Sequence, residues 1–131
     1  MSTGTDVTMT WDGDGDRDPL SAPTTTDLTA AIERLDGARW SLVTVHRADG
    51  DLVVGGSAAR GLIVYADLGP GRCWTALGTD RAGEDEVELV AGGQPGNYPS
   101  RVVLGLDAAV AAAAAFLTTG SLAPEIGWEE N

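Results

Sequence analysis

The sequence contains no lysine, one cysteine and one histidine, and these scarcities exclude several kinds of site. All eight basic residues are arginine. One cysteine, Cys73, cannot make an internal disulfide or a cysteine-cluster zinc site, and its place in a strand pattern favours a buried apolar role. With His46 as the single histidine, the sequence predicts neither a nucleophile–base pair nor a histidine-rich metal site. We therefore expect no catalytic residue, no metal and no cofactor, and so a protein that is not an enzyme.

Long apolar runs are also missing. No stretch approaches the length needed to span a membrane, and the polar, acidic N-terminus lacks the basic and then apolar pattern of a signal peptide. We expect a cytoplasmic protein with no membrane partner. At 131 residues, 43% of them hydrophobic, the chain is predicted to fold as a single domain over 1–131.

Acidic residues, by contrast, are abundant. Twenty Asp and Glu against eight Arg give a formal net charge of −12. Such a surface repels nucleic acid and anionic membranes and favours basic partners. The alternative is that the charge serves only to keep the protein in solution.

The order of hydrophobic patterns is strand, helix, a run of strands, helix, strand. Alternation predicts strands at 7–11, 40–47, 51–55, 61–66, 72–77, 86–90 and 101–104, with loops at 12–23 and 92–96. An Asp-Gly turn at 49–50 predicts a hairpin. Short connections make consecutive strands antiparallel, so we predict an α+β fold with a curved, mainly antiparallel sheet and two helices packed on one face.

The helix ends carry their own signals. Thr26 or Asp27 is the predicted cap of a first helix that runs to about 36 and ends at Gly37. Asp107 is the predicted cap of the alanine-rich helix, whose small side chains should allow close approach to the sheet. Gly120 can adopt the left-handed conformation that ends this helix, and Pro124 prevents its resumption before a short final strand.

The Asp/Gly run from Asp12 to Asp18 offers the main alternative chemistry. Asp12, Asp14 and Asp16 have the alternate spacing of the first oxygen ligands of a calcium loop. However, an EF-hand needs Gly where Arg17 stands and Glu where Pro23 stands. We expect a mobile, solvated acidic loop over 12–23, with a small calcium- or ligand-binding module as the alternative function.

Several short motifs resemble one protein family. They are Phe-Leu-Thr-Thr-Gly at 116–120 and Pro-Glu-Ile-Gly-Trp-Glu at 124–129, preceded by apolar segments at 51–56, 61–65, 73–76 and 98–104. Together they cover about 40–129 and resemble immunity protein family one of bacterial polymorphic toxin systems, found mostly in actinobacteria. The resemblance implies a protein that binds and neutralises a cognate toxin by occlusion. It also implies a nucleic-acid-targeting toxin, including types similar to cytidine deaminases.

A tight inhibitor needs a few buried anchors within a charged rim that complements a basic toxin surface. The rim residues that we predict are acidic: Glu84, Asp85, Glu86, Glu88, Glu129 and Glu130, with Asp12, Asp14 and Asp16 as weaker candidates. The predicted anchors are Tyr65, Trp74 and Trp128, for which packing in the core is the alternative.

Overall fold

A computed structural model of the chain describes residues 7–13, 18–78 and 85–130. Its strands are β1 Thr8–Trp11, β2 Leu20–Ser21, β3 Leu42–Arg47, β4 Gly50–Ser57, β5 Gly61–Asp67, β6 Cys73–Leu77, β7 Glu86–Ala91, β8 Gln94–Pro99 and β9 Gly127–Glu130. The helices are α1 Thr25–Glu33 and α2 Leu106–Thr119, with a short 3₁₀ helix at Ser100–Val102.

Seven strands form one sheet in the order β2-β1-β3-β4-β5-β6-β9, and every neighbouring pair is antiparallel. β7 and β8 pair with each other as a separate two-stranded sheet. The predicted hairpin of β3 and β4 is confirmed, but its turn is formed by Ala48 and Asp49, one residue earlier than predicted, because Arg47 pairs with Gly50. The α+β architecture expected from the order of elements is therefore correct.

Both helices pack on one face of the seven-stranded sheet. In β3 to β5, alternate residues from this face are fully or almost fully buried, among them Val45, Val54 and Val64. They belong to one hydrophobic cluster with the buried residues of α1 and α2. Burial of this continuous apolar surface is the main stabilising contribution to the fold.

The alanine-rich helix approaches the sheet closely, as predicted. Ala109, Ala112 and Ala113 are completely buried, and Phe116 is the largest fully buried side chain. The predicted cap is wrong by two positions. Gly105 is the N-cap, with no side-chain hydrogen bond, and Asp107 lies in the first turn, where its charge favours the positive helix end.

The other end of α2 is closed as the sequence predicts, with an added contact. Gly120 has φ +74°, the left-handed conformation, and its amide donates to the carbonyl of Phe116. Arg47 donates from Nη1 to the carbonyl of Leu117 at 2.9 Å. The left-handed backbone favours glycine here, and a Cβ on residue 120 would lie 2.8 Å from Nε of Arg47, so the arginine would have to shift.

The first helix begins earlier than expected. Its N-cap is Thr24, whose hydroxyl accepts from the amide of Asp27 while the Asp27 carboxylate accepts from the amide of Thr24. The helix also ends before Gly37, at Glu33. The following turn is closed by Asp36, whose carboxylate accepts from the amides of Ala38 and Trp40; these bonds lower its pKa.

Three further predictions were wrong. The supposed loop at 92–96 is a two-residue turn, Gly92 and Gly93, followed by β8, whose Pro95 and Pro99 conceal a strand from pattern analysis. The supposed strand at 101–104 is the 3₁₀ helix and a single bridge between Leu62 and Leu104. Within the supposed loop at 12–23, β2 pairs with β1; residues 14–17 lie outside the described ranges.

Candidate partner-binding surface

The second face of the sheet, opposite the helices, carries two different surfaces. Because partners across antiparallel strands share a face, Leu42, Gly55 and Ile63 form one apolar row. Two rows further along, His46, Asp51, Asp67 and Cys73 form a polar row. The sheet is thus apolar near one end of this face and polar near the other.

The β7–β8 hairpin covers the apolar end. A Cβ on Gly55 would lie only 2.7 Å from Cβ of Ala91, so the missing side chain is what allows the hairpin to lie against β4. At the hairpin turn, the amide of Gly93 donates to Oγ of the fully buried Ser41 at 2.9 Å. At the hairpin base, the amide of Gly78 donates to the carbonyl of Arg101. The hairpin is therefore held at both ends.

A groove of about 460 Å³ remains between the hairpin and the sheet. The sheet contributes mainly apolar and hydroxyl-bearing residues to its wall, and the hairpin and 3₁₀ helix close the other side. The groove is lined by Leu42, Val53, Ile63, Val64, Tyr65, Thr75, Ala91, Tyr98, Pro99, Arg101, Val102 and Glu129. Its size is within the range of protein pockets that bury a ligand or large side chains.

One ion pair closes a wall of the groove. Nε of Arg101 lies 3.3 Å from one carboxylate oxygen of Glu129, and Nη2 lies 3.4 Å from the other. These bonds are longer than a tight charge-assisted pair, and the side chains are 35% and 42% exposed. The pair joins the 3₁₀ helix to β9 and leaves Glu129 accessible from the groove side.

Tyr65 provides a polar group beside the apolar wall. Hydrogen bonding with Cys73 and burial, together with the negative charges of Cys73 and Asp67, raise the pKa of the Tyr65 phenol above its ordinary value of 10.0. The raised pKa keeps the phenol protonated further into the alkaline range. The free thiol of Cys73 is half-buried in β6 and takes part in this contact.

The predicted acidic rim lies on the outside of the hairpin. Glu86 and Glu88 are exposed, whereas the alternate residue Leu89 is buried towards the sheet. Asp85 is exposed immediately before β7, and Glu84 lies outside the described residues. The predicted half-exposed strand at 86–90 is confirmed, and its acidic side chains share the outer hairpin face.

The three predicted aromatic anchors do not lie together. Tyr65 lines the groove, but Trp74 and Trp128 lie on the helix side and pack against the main core. The indole nitrogen of Trp128 donates to the carbonyl of Ala123 at 3.0 Å. Glu130, paired with Trp74 across the strands, is exposed on that same side. The named residues therefore divide between two faces of the sheet.

Asp12 has a structural role rather than the solvated position expected for the acidic loop. Its carboxylate accepts from the amides of Ser41 and Leu42, at 2.7 and 3.0 Å, and from the hydroxyl of Ser41. Through Ser41 it supports the hairpin turn. Asp14 and Asp16 lie outside the described residues, and the described part of the chain contains no group of three or more His, Cys, Asp or Glu able to hold a metal.

His46 has a hydrogen-bonding partner at each ring nitrogen. Nε2 lies 3.0 Å from Oγ1 of Thr10, and Nδ1 lies 3.1 Å from Oδ1 of Asp51. None of these three side chains lines the groove.

A comparison with family models decides what kind of protein this is. The model described as immunity protein Imm1 matches residues 16–130, which include both helices, β2 to β9 and the whole groove. The chain belongs to the Imm1 immunity protein family. The match extends further towards the N-terminus than the resemblance at 40–129 and takes in α1.

Family membership implies toxin immunity and a cognate toxin as the partner. Immunity proteins of this kind are generally not enzymes. No curated protein and no solved structure matched the chain. Among the described helices, none has the length and apolar character needed to cross a membrane.

Sequence reasoning missed the groove, although a signal for it exists. Leu42, Val53 and Ile63 are apolar on the face that the helices do not cover, so both faces of these central strands are hydrophobic. Strands that are apolar on both faces are covered on both. The covering element was concealed because β8 contains two prolines and two further residues, Gly96 and Asn97, that are rare in strands.

Proposed function

We propose that this protein neutralises its cognate toxin by binding it with the hairpin side of the sheet and occluding the toxin. The family match carries the immunity function. The choice of surface is supported by the one place where the described chain combines a preformed groove with an exposed acidic strand, the β7–β8 hairpin.

The partner surface that fits this side is basic. Asp85, Glu86 and Glu88 are exposed on the hairpin, and the whole chain carries a net charge of −12. A toxin that acts on nucleic acid needs a basic cleft for the phosphate backbone. An acidic inhibitor can occupy such a cleft, which supports a nucleic-acid-targeting, deaminase-like toxin.

We also propose an actinobacterial source and a cytoplasmic location. Exclusive use of arginine among the basic residues supports a GC-rich genome, consistent with an actinobacterial host. An immunity protein that protects its own cell from such a toxin would act in the cytoplasm, where the nucleic acid is. The calcium-binding alternative is weakened because the Asp12 carboxylate already accepts three hydrogen bonds from the protein.

The test is a matched pair of charge-reversal variants. One carries Asp85→Arg, Glu86→Arg and Glu88→Arg on the hairpin. The control carries Asp18→Arg, Glu33→Arg and Glu125→Arg, which changes the net charge equally at exposed positions outside the hairpin. Each is mixed with the inactivated toxin encoded beside this protein, and association is followed by surface plasmon resonance at low and high salt.

We expect the hairpin variant to associate about tenfold to hundredfold more slowly at low salt, because opposite charge mainly accelerates encounter. The control should lose much less, and the difference should shrink at high salt. Equal losses in the two variants would show that only net charge matters. If wild-type protein neither binds this toxin nor protects cells expressing it, the proposed partner is wrong.

A further inference from the structure

The groove beneath the hairpin is lined in part by apolar residues that do not belong to the main hydrophobic core. Val53 and Ile63 face it from the sheet and Ala91 from the hairpin, and all three are partly exposed rather than fully buried. Val53 lies next to Val54 in β4, but Val54 points to the helix side and is completely buried. Apolar surface is thus available on this side although the fold could have covered it.

The groove is preformed. Its roof is fixed at the turn by the Gly93–Ser41 bond and at the base by the Gly78–Arg101 and Leu104–Leu62 bonds. A pocket held open in this way binds without the cost of ordering its walls. Interface residues that contribute most to affinity fill such pockets and exclude water around them.

The charges around the groove bear on the charge of the partner. Among the described lining residues, Arg101 is the one basic side chain, and it is paired with Glu129. Acidic groups lie on both sides, Glu86 and Glu88 on the hairpin and Asp51 and Asp67 on the polar row of the sheet. A second copy of this chain would bring another net charge of −12 and be repelled. A basic partner is favoured.

We propose that the groove is the anchor pocket for the toxin, and that it receives a large apolar side chain, aromatic in size, from a basic loop of the toxin. This inference rests on the proposed function. Within it, the outer hairpin face and the groove have separate tasks. The acidic face accelerates encounter, and the groove slows dissociation because leaving it exposes apolar surface to water.

The proposal is tested with a substitution that fills the groove. Val53→Trp places a large side chain in the pocket, and Ala30→Trp is the control, at an exposed position of α1 on the other side of the sheet. Thermal unfolding by circular dichroism establishes that each variant folds. Binding of both to the inactivated toxin encoded beside this protein is then measured by surface plasmon resonance.

We expect Val53→Trp to weaken affinity by about a hundredfold, almost entirely through faster dissociation, with association changed less than about threefold. Ala30→Trp should behave as wild type. If Val53→Trp does not fold, Ile63→Ala serves instead, because it removes groove wall without adding bulk and should speed dissociation by about tenfold.

Wild-type dissociation by a folded Val53→Trp variant would overturn the groove as the anchor and leave the immunity function intact. Slower association with unchanged dissociation would overturn it too, because the groove would then belong to the steering surface. By contrast, failure of the wild-type protein to bind the toxin at all would overturn the proposed function itself.

Discussion

The two faces of the same seven-stranded sheet are both apolar at their centre, but they are covered in different ways. Two helices seal one face, where Val54, Val64 and Phe116 are completely excluded from water. On the other face a two-stranded hairpin covers part of the surface and leaves a groove of about 460 Å³ beside partly exposed Val53. One face therefore stabilises the fold, whereas the other retains apolar surface that the fold does not bury.

The difference has a physical cause in the covering elements. The small alanine side chains of α2 let a helix lie close to the sheet along its length, with Ala109 and Ala113 fully buried. The hairpin lies very close to the sheet at Gly55, and it is also fixed by hydrogen bonds at its turn and base. A covering element fixed at a few points leaves space between them.

Two adjacent valines of β4 allow the contributions of the two faces to stability to be measured separately. Val54→Ala should lower the free energy of unfolding by about 2–3 kcal/mol, because it leaves a cavity in the sealed core. Val53→Ala, one residue away on the groove side, should cost less than about 1 kcal/mol. Urea denaturation measures both. Equal costs would mean that the two faces contribute alike to stability.

A second substitution tests how the hairpin is seated. Gly55→Ala should lower the free energy of unfolding by about 1–2 kcal/mol, because the new Cβ would lie 2.7 Å from Cβ of Ala91 and displace the hairpin. Gly105→Ala is the control, since a Cβ there meets nothing within 4 Å; it should cost less than about 1 kcal/mol. A neutral Gly55→Ala variant would show that the hairpin is loosely placed.

The smallest effect concerns the polar side of the groove. The Tyr65 phenol should ionise at a higher pH than 10.0, and Cys73→Ala should bring its pKa down, because Cys73 is the largest cause of the shift. The pKa of Tyr65 is higher in the folded than in the unfolded protein, so the protonated phenol stabilises the fold. This stabilisation is complete below pH 10 and is lost as the pH rises through the folded-state pKa. Tyrosinate absorbance measures the pKa of Tyr65, and the Tyr65→Phe variant identifies which signal belongs to this residue. An unchanged Tyr65 pKa in Cys73→Ala would contradict the contact between Tyr65 and Cys73.

Local sequence signals explain how much could be predicted. The sealed face was predictable because alternation in β3 to β5, the alanine run and Gly120 all agree. The caps of both helices were misplaced because neighbouring Thr and Asp residues offer several equivalent caps, and because Gly105 caps α2 without a side chain. Cap position depends on where packing starts the helix.

The groove was not predictable because it depends on contacts between distant segments. Asp12 appeared to be part of a solvated loop, yet it holds Ser41, which in turn holds the hairpin turn. No local pattern indicates a hydrogen bond across 29 positions of the chain. Trp74 and Trp128 were interchangeable with Tyr65 in the sequence, and only the strand register assigns them to opposite faces.

Hydrogen–deuterium exchange of this protein with and without its inactivated cognate toxin tests whether the toxin binds the hairpin side of the sheet. We expect the toxin to slow exchange in the hairpin, 86–99, while α1, 25–33, exchanges at its unbound rate, because the sheet separates the two. Slower exchange confined to α1 and α2, with the hairpin unchanged, would contradict this expectation and move the binding surface to the helix side.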